Sequence, residues 1–134
     1  RESDQASIFY DWMPTFAAMT GCEPPGDPKW DGMNIWPWLS GERTEEEERT
    51  LYWNLQHRFF AVRRGPWKLI RRGPGRVPEV ELFHVGTDPF EERDVSADHP
   101  DVVQALSRLI EEEHARDDAD KRPEVEGPGV TSGN

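Results

Sequence analysis

Residues 81–95 read ELFHVGTDPFEERDV, and this stretch decides the fold. Leu82, Phe83 and Val85 carry side chains that favour a pleated strand. Asp88-Pro89 then forces a turn, because proline presets φ and the aspartate carboxylate accepts hydrogen bonds from nearby backbone N–H groups. An acidic connection follows, and Asp98-His99-Pro100 opens a helix: Asp98 is the expected cap, and Pro100 falls in the first turn, where a missing N–H costs little. Val102, Val103, Leu106, Leu109 and Ile110 line one face of that helix at 3.6-residue spacing. The unit is therefore strand, turn, helix.

Upstream of it the chain reads as three more strands, at about 50–55, 58–64 and 67–72, with a fourth over Val80 to Val85. Gly65-Pro66 fits a tight hairpin, and the short connections favour antiparallel pairing. Further out, Ile8, Phe9, Trp12, Phe16 and Met19 form a helical stripe, with Ser7 as N-cap and Gly21 as the stop. Pro14 lies inside this stripe, so two pieces, roughly 7–11 and 12–20, fit as well as one. Glu23 to Pro28 is loop, and a short helical turn between Trp30 and Gly41 is expected to face Ile35, Trp36 and Leu39 inward. Strands running together before a helix give an α+β class. The expected architecture is a four-stranded antiparallel sheet, the C-terminal helix packed on it, and an N-terminal helical lead-in.

Composition narrows the function. The chain has 134 residues, enough for one domain with a modest core. Its hydrophobic fraction is low, 34%, but six tryptophans and six phenylalanines concentrate apolar area. Aromatics at this density in so polar a chain point to a surface that meets something else. A net charge of −11 opposes nucleic-acid binding, which needs clustered cations to neutralise phosphates. Arg63, Arg64, Lys68, Arg71, Arg72 and Arg76 form a local exception, read chiefly as the polar positions of paired strands. No apolar run approaches the length of a membrane span, so no membrane partner is expected. One cysteine, Cys22, gives neither a disulfide framework nor a Cys-rich zinc site.

Among chemistry-bearing residues, His57, His84, His99 and His114 form no H-x-x-x-H pair or other metal-ligand spacing. The acidic run Glu45 to Glu48 is a solvated connector, since consecutive carboxylates diverge. No G-x-S-x-G elbow and no glycine-rich phosphate loop occurs. Trp67 reads as a core plug beside Val62 and Leu69, with Lys68 facing the other side. His57 and Arg58 lie in the connection between two strands, where binding groups are usually carried. An arginine fork suits sulfate or carboxylate because it donates two parallel hydrogen bonds.

Five short signatures in order give the chain a family likeness. ELFHVGTDPFEERDV resembles the closing segment of the type I, arylsulfatase-like sulfatases, written E-L-Y-D-L-x-x-D-P-x-E-x-x-N-L, with His84 and Asp94-Val95 as departures. Asp11, Pro14, Thr15 and Gly21 resemble D-x-x-P-T-x-x-x-x-x-G, and Asp31-Gly32 with NIWPWLSGE resembles D-G-x-S-L-x-P-x-L-x-G. RTLYWNLQ and FFAVRRGPWKLI resemble R-x-L-x-W and A-V-R-x-G-x-W-K-L-I. The likeness runs over about residues 8 to 112. It implies a sulfatase C-terminal subdomain over 7–116, a piece of an alkaline-phosphatase-like fold; composition separately marks 1–6 as a polar lead-in and the charged, Gly/Pro-rich stretch 117–134 as an expected disordered tail.

The resemblance also implies what this chain lacks. The family's formylglycine arises in C/S-x-P-x-R, which Cys22 in TGCEPPG does not match, and its calcium ligands lie in a larger N-terminal domain. The implied partner is that catalytic domain, with a sulfate ester as substrate of the parent enzyme, and a periplasmic or secreted location. No catalytic residue, metal ligand or cofactor is expected in this chain itself. His57 and Arg58 become candidates for the rim of the substrate cleft. A reading of another class is a free-standing module for sulfated or other glycans, stacking sugars on Trp30, Trp36, Trp38 or Trp53.

Overall fold

A computed structural model describes residues 3–23, 30–55, 58–73 and 79–119. The chain divides into two compact units: residues 1–51 with 63–66, and residues 52–62 with 67–134.

In the first unit a 3-10 turn, Phe9–Asp11, leads directly into α1, Trp12–Thr20. Of the two expectations, two pieces or one, the chain takes two with the break between residues 11 and 12, and Pro14 is accommodated in the first turn of α1, where no N–H partner is needed. Ser7 does not cap the helix: the residue flanking the turn is Ile8, whose N–H is accepted by Asp11 Oδ2 at 2.8 Å. Gly21 ends α1 as expected, at φ 65°, with the left-handed backbone that glycine adopts without a Cβ penalty. A second short helix, α2, spans Trp36–Ser40 and stops at Gly41, φ 85°. Of the residues expected to face inward, Ile35 is buried, but Trp36 and Leu39 are exposed and Trp38 is buried in their place. Five residues are too few for a 3.6-residue stripe to decide orientation. Trp38 is held instead by its indole N–H, which donates to the Glu45 carbonyl at 2.8 Å, and by Arg43 over its ring at 4.9 Å. Gln5, in the polar lead-in, is buried too, because its amide pairs with both backbone groups of Glu47.

The sheet has the order β1-β2-β3-β4 and is antiparallel, as expected. Its strands are β1 (Thr50–Leu55), β2 (Phe59–Arg64), β3 (Trp67–Arg72) and β4 (Glu79–His84). β3 and β4 register Trp67 against His84 and Arg72 against Glu79. The last helix, α3, runs Pro100–Ala119. Its first turn closes on the His99 carbonyl, which accepts the Val103 N–H at 3.1 Å, so the cap position falls on His99 and Asp98 stays in the preceding turn. α3 extends through residues 117–119, which had been assigned to the tail; residues 120–134 lie outside the described residues.

The core of the second unit joins Phe60, Val62, Leu69, Leu82, Leu106 and Ile110, so one face of the sheet meets the apolar stripe of α3. Trp67 packs at its margin, edge-on to His84 at 4.7 Å and tilted on His99 at 4.8 Å between centroids. The ELFHVGTDPFEERDV stretch is tied down by its own aspartates. Asp88 accepts the N–H groups of Glu92 and Arg93, and Asp94 Oδ1 accepts those of Leu82 and Ser96 at 2.9 Å each. Val95 N–H returns to the Leu82 carbonyl at 2.9 Å, so the chain leaving the turn doubles back along β4.

Candidate functional site

The 3-10 turn Phe9–Asp11 and α1, which continues it, together invert the usual amphipathic arrangement. Their apolar stripe faces outward: Phe9 is 82% exposed, and Trp12, Phe16 and Met19 are exposed with it. The buried positions are Asp11 and Thr15, both fully excluded from solvent. They can be buried because every polar atom is matched. Asp11 accepts Ile8 N–H and an Arg49 guanidinium N–H (2.7 Å) on Oδ2, and Met33 N–H (3.0 Å) on Oδ1. Thr15 Oγ1 donates to the Asp11 carbonyl at 2.6 Å and accepts Ile35 N–H at 3.0 Å. Burial alone would raise the Asp11 carboxyl, but the Arg49 guanidinium and the two backbone N–H groups outweigh it and hold the group below its usual range.

Gly32 completes this node. A Cβ at Gly32 would lie 2.2 Å from the Tyr10 carbonyl oxygen and 2.7 Å from the Asp11 nitrogen, so backbone passes where no side chain fits. Asp11, Thr15, Gly32 and Arg49 come from three separate sequence signatures and meet at one buried polar junction. Sequence reading missed it, although Asp11 and Thr15 stand four residues apart on one helix face.

The outward stripe builds an open groove of about 560 Å³, lined by Phe9, Tyr10, Trp12, Met13, Phe16, Trp30 and Asp31. Trp12 and Phe16 stack at 5.5 Å between centroids. One turn of helix separates them, so the pair forms a continuous ridge. Exposed apolar surface this contiguous marks a contact site rather than an ordinary solvated face.

The sequence-derived site residues fare differently. His57 lies outside the described residues, as does Arg76. Arg58 is exposed; its N–H donates to the Leu55 carbonyl at 3.1 Å and its carbonyl accepts Gly73 N–H at 2.7 Å, fixing the turn after β1. The basic cluster is neutralised: Arg64 pairs with Glu48, Lys68 with Glu91, Arg71 with Glu111 and Arg72 with Glu81, while Arg63 donates to the Gly65 carbonyl. Among the described residues, four of the basic side chains are thus balanced by carboxylates. Trp38 is buried and is withdrawn from the set of stacking tryptophans, whereas Trp30, Trp36 and Trp53 are exposed. Among the described residues no three His, Cys, Asp or Glu side chains are grouped to hold a metal ion, and Cys22 is free and exposed. No described helix is long and apolar enough to cross a membrane.

No family model matches the chain. Solved structures do. The Bacteroides thetaiotaomicron sulfatase BT33336S-sulf, from work on glycosaminoglycan metabolism, aligns with a TM-score of 0.60 and 25% identity over 81% of this chain. Ps i-CgsB, solved with k-i-k-neocarrahexaose, aligns at 0.57 and 24% over 76% of this chain. BT4656, solved with its substrate D-glucosamine-2-N,6-O-disulfate, aligns at 0.53 and 19% over 87%. The chain spans about a quarter of the length of these solved chains: 25%, 23% and 25%. The sheet, the terminal helix and that coverage together identify the fold as the one sulfatases use for their C-terminal subdomain.

Proposed function

We propose that this chain is the C-terminal portion of a sulfatase, a sulfuric ester hydrolase, which packs on a catalytic domain and helps shape its substrate cleft. The observation that carries the reading is the groove along α1: aromatic side chains lie outward while the helix buries Asp11 and Thr15. A helix normally buries its apolar stripe, so this one is built to be covered by further protein. The fold likeness to a quarter of each sulfatase chain supports the same reading. His57 and Arg58, between β1 and β2, are assigned to the rim of the cleft, with the Arg58 fork directed at the sulfate or another anionic group of the substrate. Calcium and formylglycine belong to the catalytic domain.

The test uses the purified 134-residue chain and a sulfatase catalytic domain encoded in the same reading frame. The chain alone is expected to leave an aryl sulfate intact and to associate with that domain. Turnover by the chain alone, or failure of the two pieces to associate, contradicts the reading.

A further inference from the structure

We propose that the sheet face turned away from α3 carries a stacking site for an uncharged pyranose ring, built from Trp53, Lys68 and Glu91. Tyr52 packs against the core shared with α3, so strand alternation turns Trp53 to the opposite face, where it is 39% exposed. Leu55 and Phe59 continue the apolar surface on that side and are also exposed. Lys68, from β3, brings its ammonium to 5.9 Å from the Trp53 ring centroid. The same ammonium pairs with Glu91 Oε1 at 2.5 Å, in a pair that is mostly shielded from water.

Glu91 is the only non-glycine residue with positive φ among those described, at 57°. Glutamate has no side-chain device that favours this backbone, so the surrounding turn must hold it there. The consequence of the unusual backbone is local: it delivers a carboxylate to the ammonium that borders the indole.

This combination fits a sugar. The electron-rich ring face attracts the C–H face of a pyranose. Beside it stand a group that only donates hydrogen bonds and a group that only accepts them, and adjacent sugar hydroxyls do both. A sulfate fits poorly, because the Lys68 charge is already balanced by Glu91 and an anion would meet that carboxylate. The inference is independent of the proposed sulfatase role, since the groove on α1 lies in the other unit of the chain.

The experiment is a titration of the 15N-labelled chain, following tryptophan indole N–H resonances, with a carrageenan hexasaccharide and its chemically desulfated form. Trp53→Phe identifies the Trp53 resonance by its disappearance and keeps a ring in place. The desulfated sugar is expected to shift that resonance. Its affinity should equal or exceed that of the sulfated form, and added salt should change it little, because no net charge is matched. Read from the backbone N–H resonances of Lys68 and Glu91, Trp53→Ala is expected to weaken binding at least about tenfold, and, read from the Trp53 indole, Lys68→Met, which keeps the aliphatic stem, several-fold. The proposal is overturned if neither sugar moves the Trp53 resonance at about 10 mM, a concentration that would reveal even weak stacking. It is equally overturned if only the sulfated sugar binds and salt abolishes the effect.

Discussion

At the scale of single residues the most consequential group is Asp11, a carboxylate with no solvent contact whose partners are one guanidinium and two backbone N–H groups. Removing one member of a buried charged pair strands the other, so Asp11→Asn should cost about 3 kcal/mol, read by urea unfolding. The sign of its pH dependence follows from its lowered ionisation. Its contribution is complete above the ordinary aspartate range and is lost as pH falls through the lower value in the folded chain. Asp94 acts in the same sense: burial opposes it, but the N–H groups of Leu82 and Ser96 prevail. Asp88, held low chiefly by the Arg93 N–H, does likewise. Stability should therefore fall as pH drops below about 4, and the Asp11→Asn variant should lose less of its remaining stability over that range than the parent chain. Gly32→Ala tests the same node sterically, since its Cβ would overlap the Tyr10 backbone. A loss of about 2 kcal/mol or more is expected in the same unfolding assay, and an unchanged midpoint would show that the segment carries the methyl without strain. For the assigned rim residue, His57→Ala in the intact enzyme should raise KM or lower kcat about tenfold, and unchanged kinetics on the natural substrate would remove it from the cleft.

At the scale of elements, α3 and α1 use opposite rules. α3 buries Leu106 and Ile110 against Leu69 and Leu82, and Ile110→Ala should cost about 2–5 kcal/mol by chemical denaturation. α1 exposes its apolar ridge, so Trp12→Glu with Phe16→Glu should change the stability of the chain alone by no more than about 0.5 kcal/mol at each site. The same pair should abolish association with a catalytic domain. This contrast also explains what the sequence made legible. The strands and α3 were readable because period-2 and period-3.6 patterns coincide with the faces they bury within the chain, and the Gly65-Pro66 turn sets the pairing. The stripe of α1 was readable as well, but periodicity reports which face is apolar and not whether the covering surface is present. Trp36 and Leu39 were misplaced for a related reason: a five-residue helix carries too little pattern, and one indole hydrogen bond decided its orientation. The Asp11 junction joins residues up to 38 apart in sequence through individually matched atoms, a kind of order that no local pattern encodes.

At the scale of the whole molecule, the informative feature is an uncovered aromatic surface. The chain has folded units with their own packing, yet it leaves a groove of about 560 Å³ lined by aromatic side chains open to solvent. It also spans about a quarter of the sulfatase chains whose fold it shares. A strongly acidic chain of net charge −11 has little electrostatic reason to bind anionic substrates unaided, and Arg64, Lys68, Arg71 and Arg72 on its strands are matched by carboxylates. Both facts agree with the proposed division, in which another domain handles most of the substrate charge and this part supplies packing and a cleft rim with Arg58 as its contribution. The most direct measurement is sedimentation of the 134-residue chain with the catalytic domain from its own reading frame, for the parent sequence and for Trp12→Glu/Phe16→Glu. A stable one-to-one complex is expected for the parent, and two separate species for the variant. A parent chain that sediments alone, or a variant that still forms the complex, would contradict the proposed role.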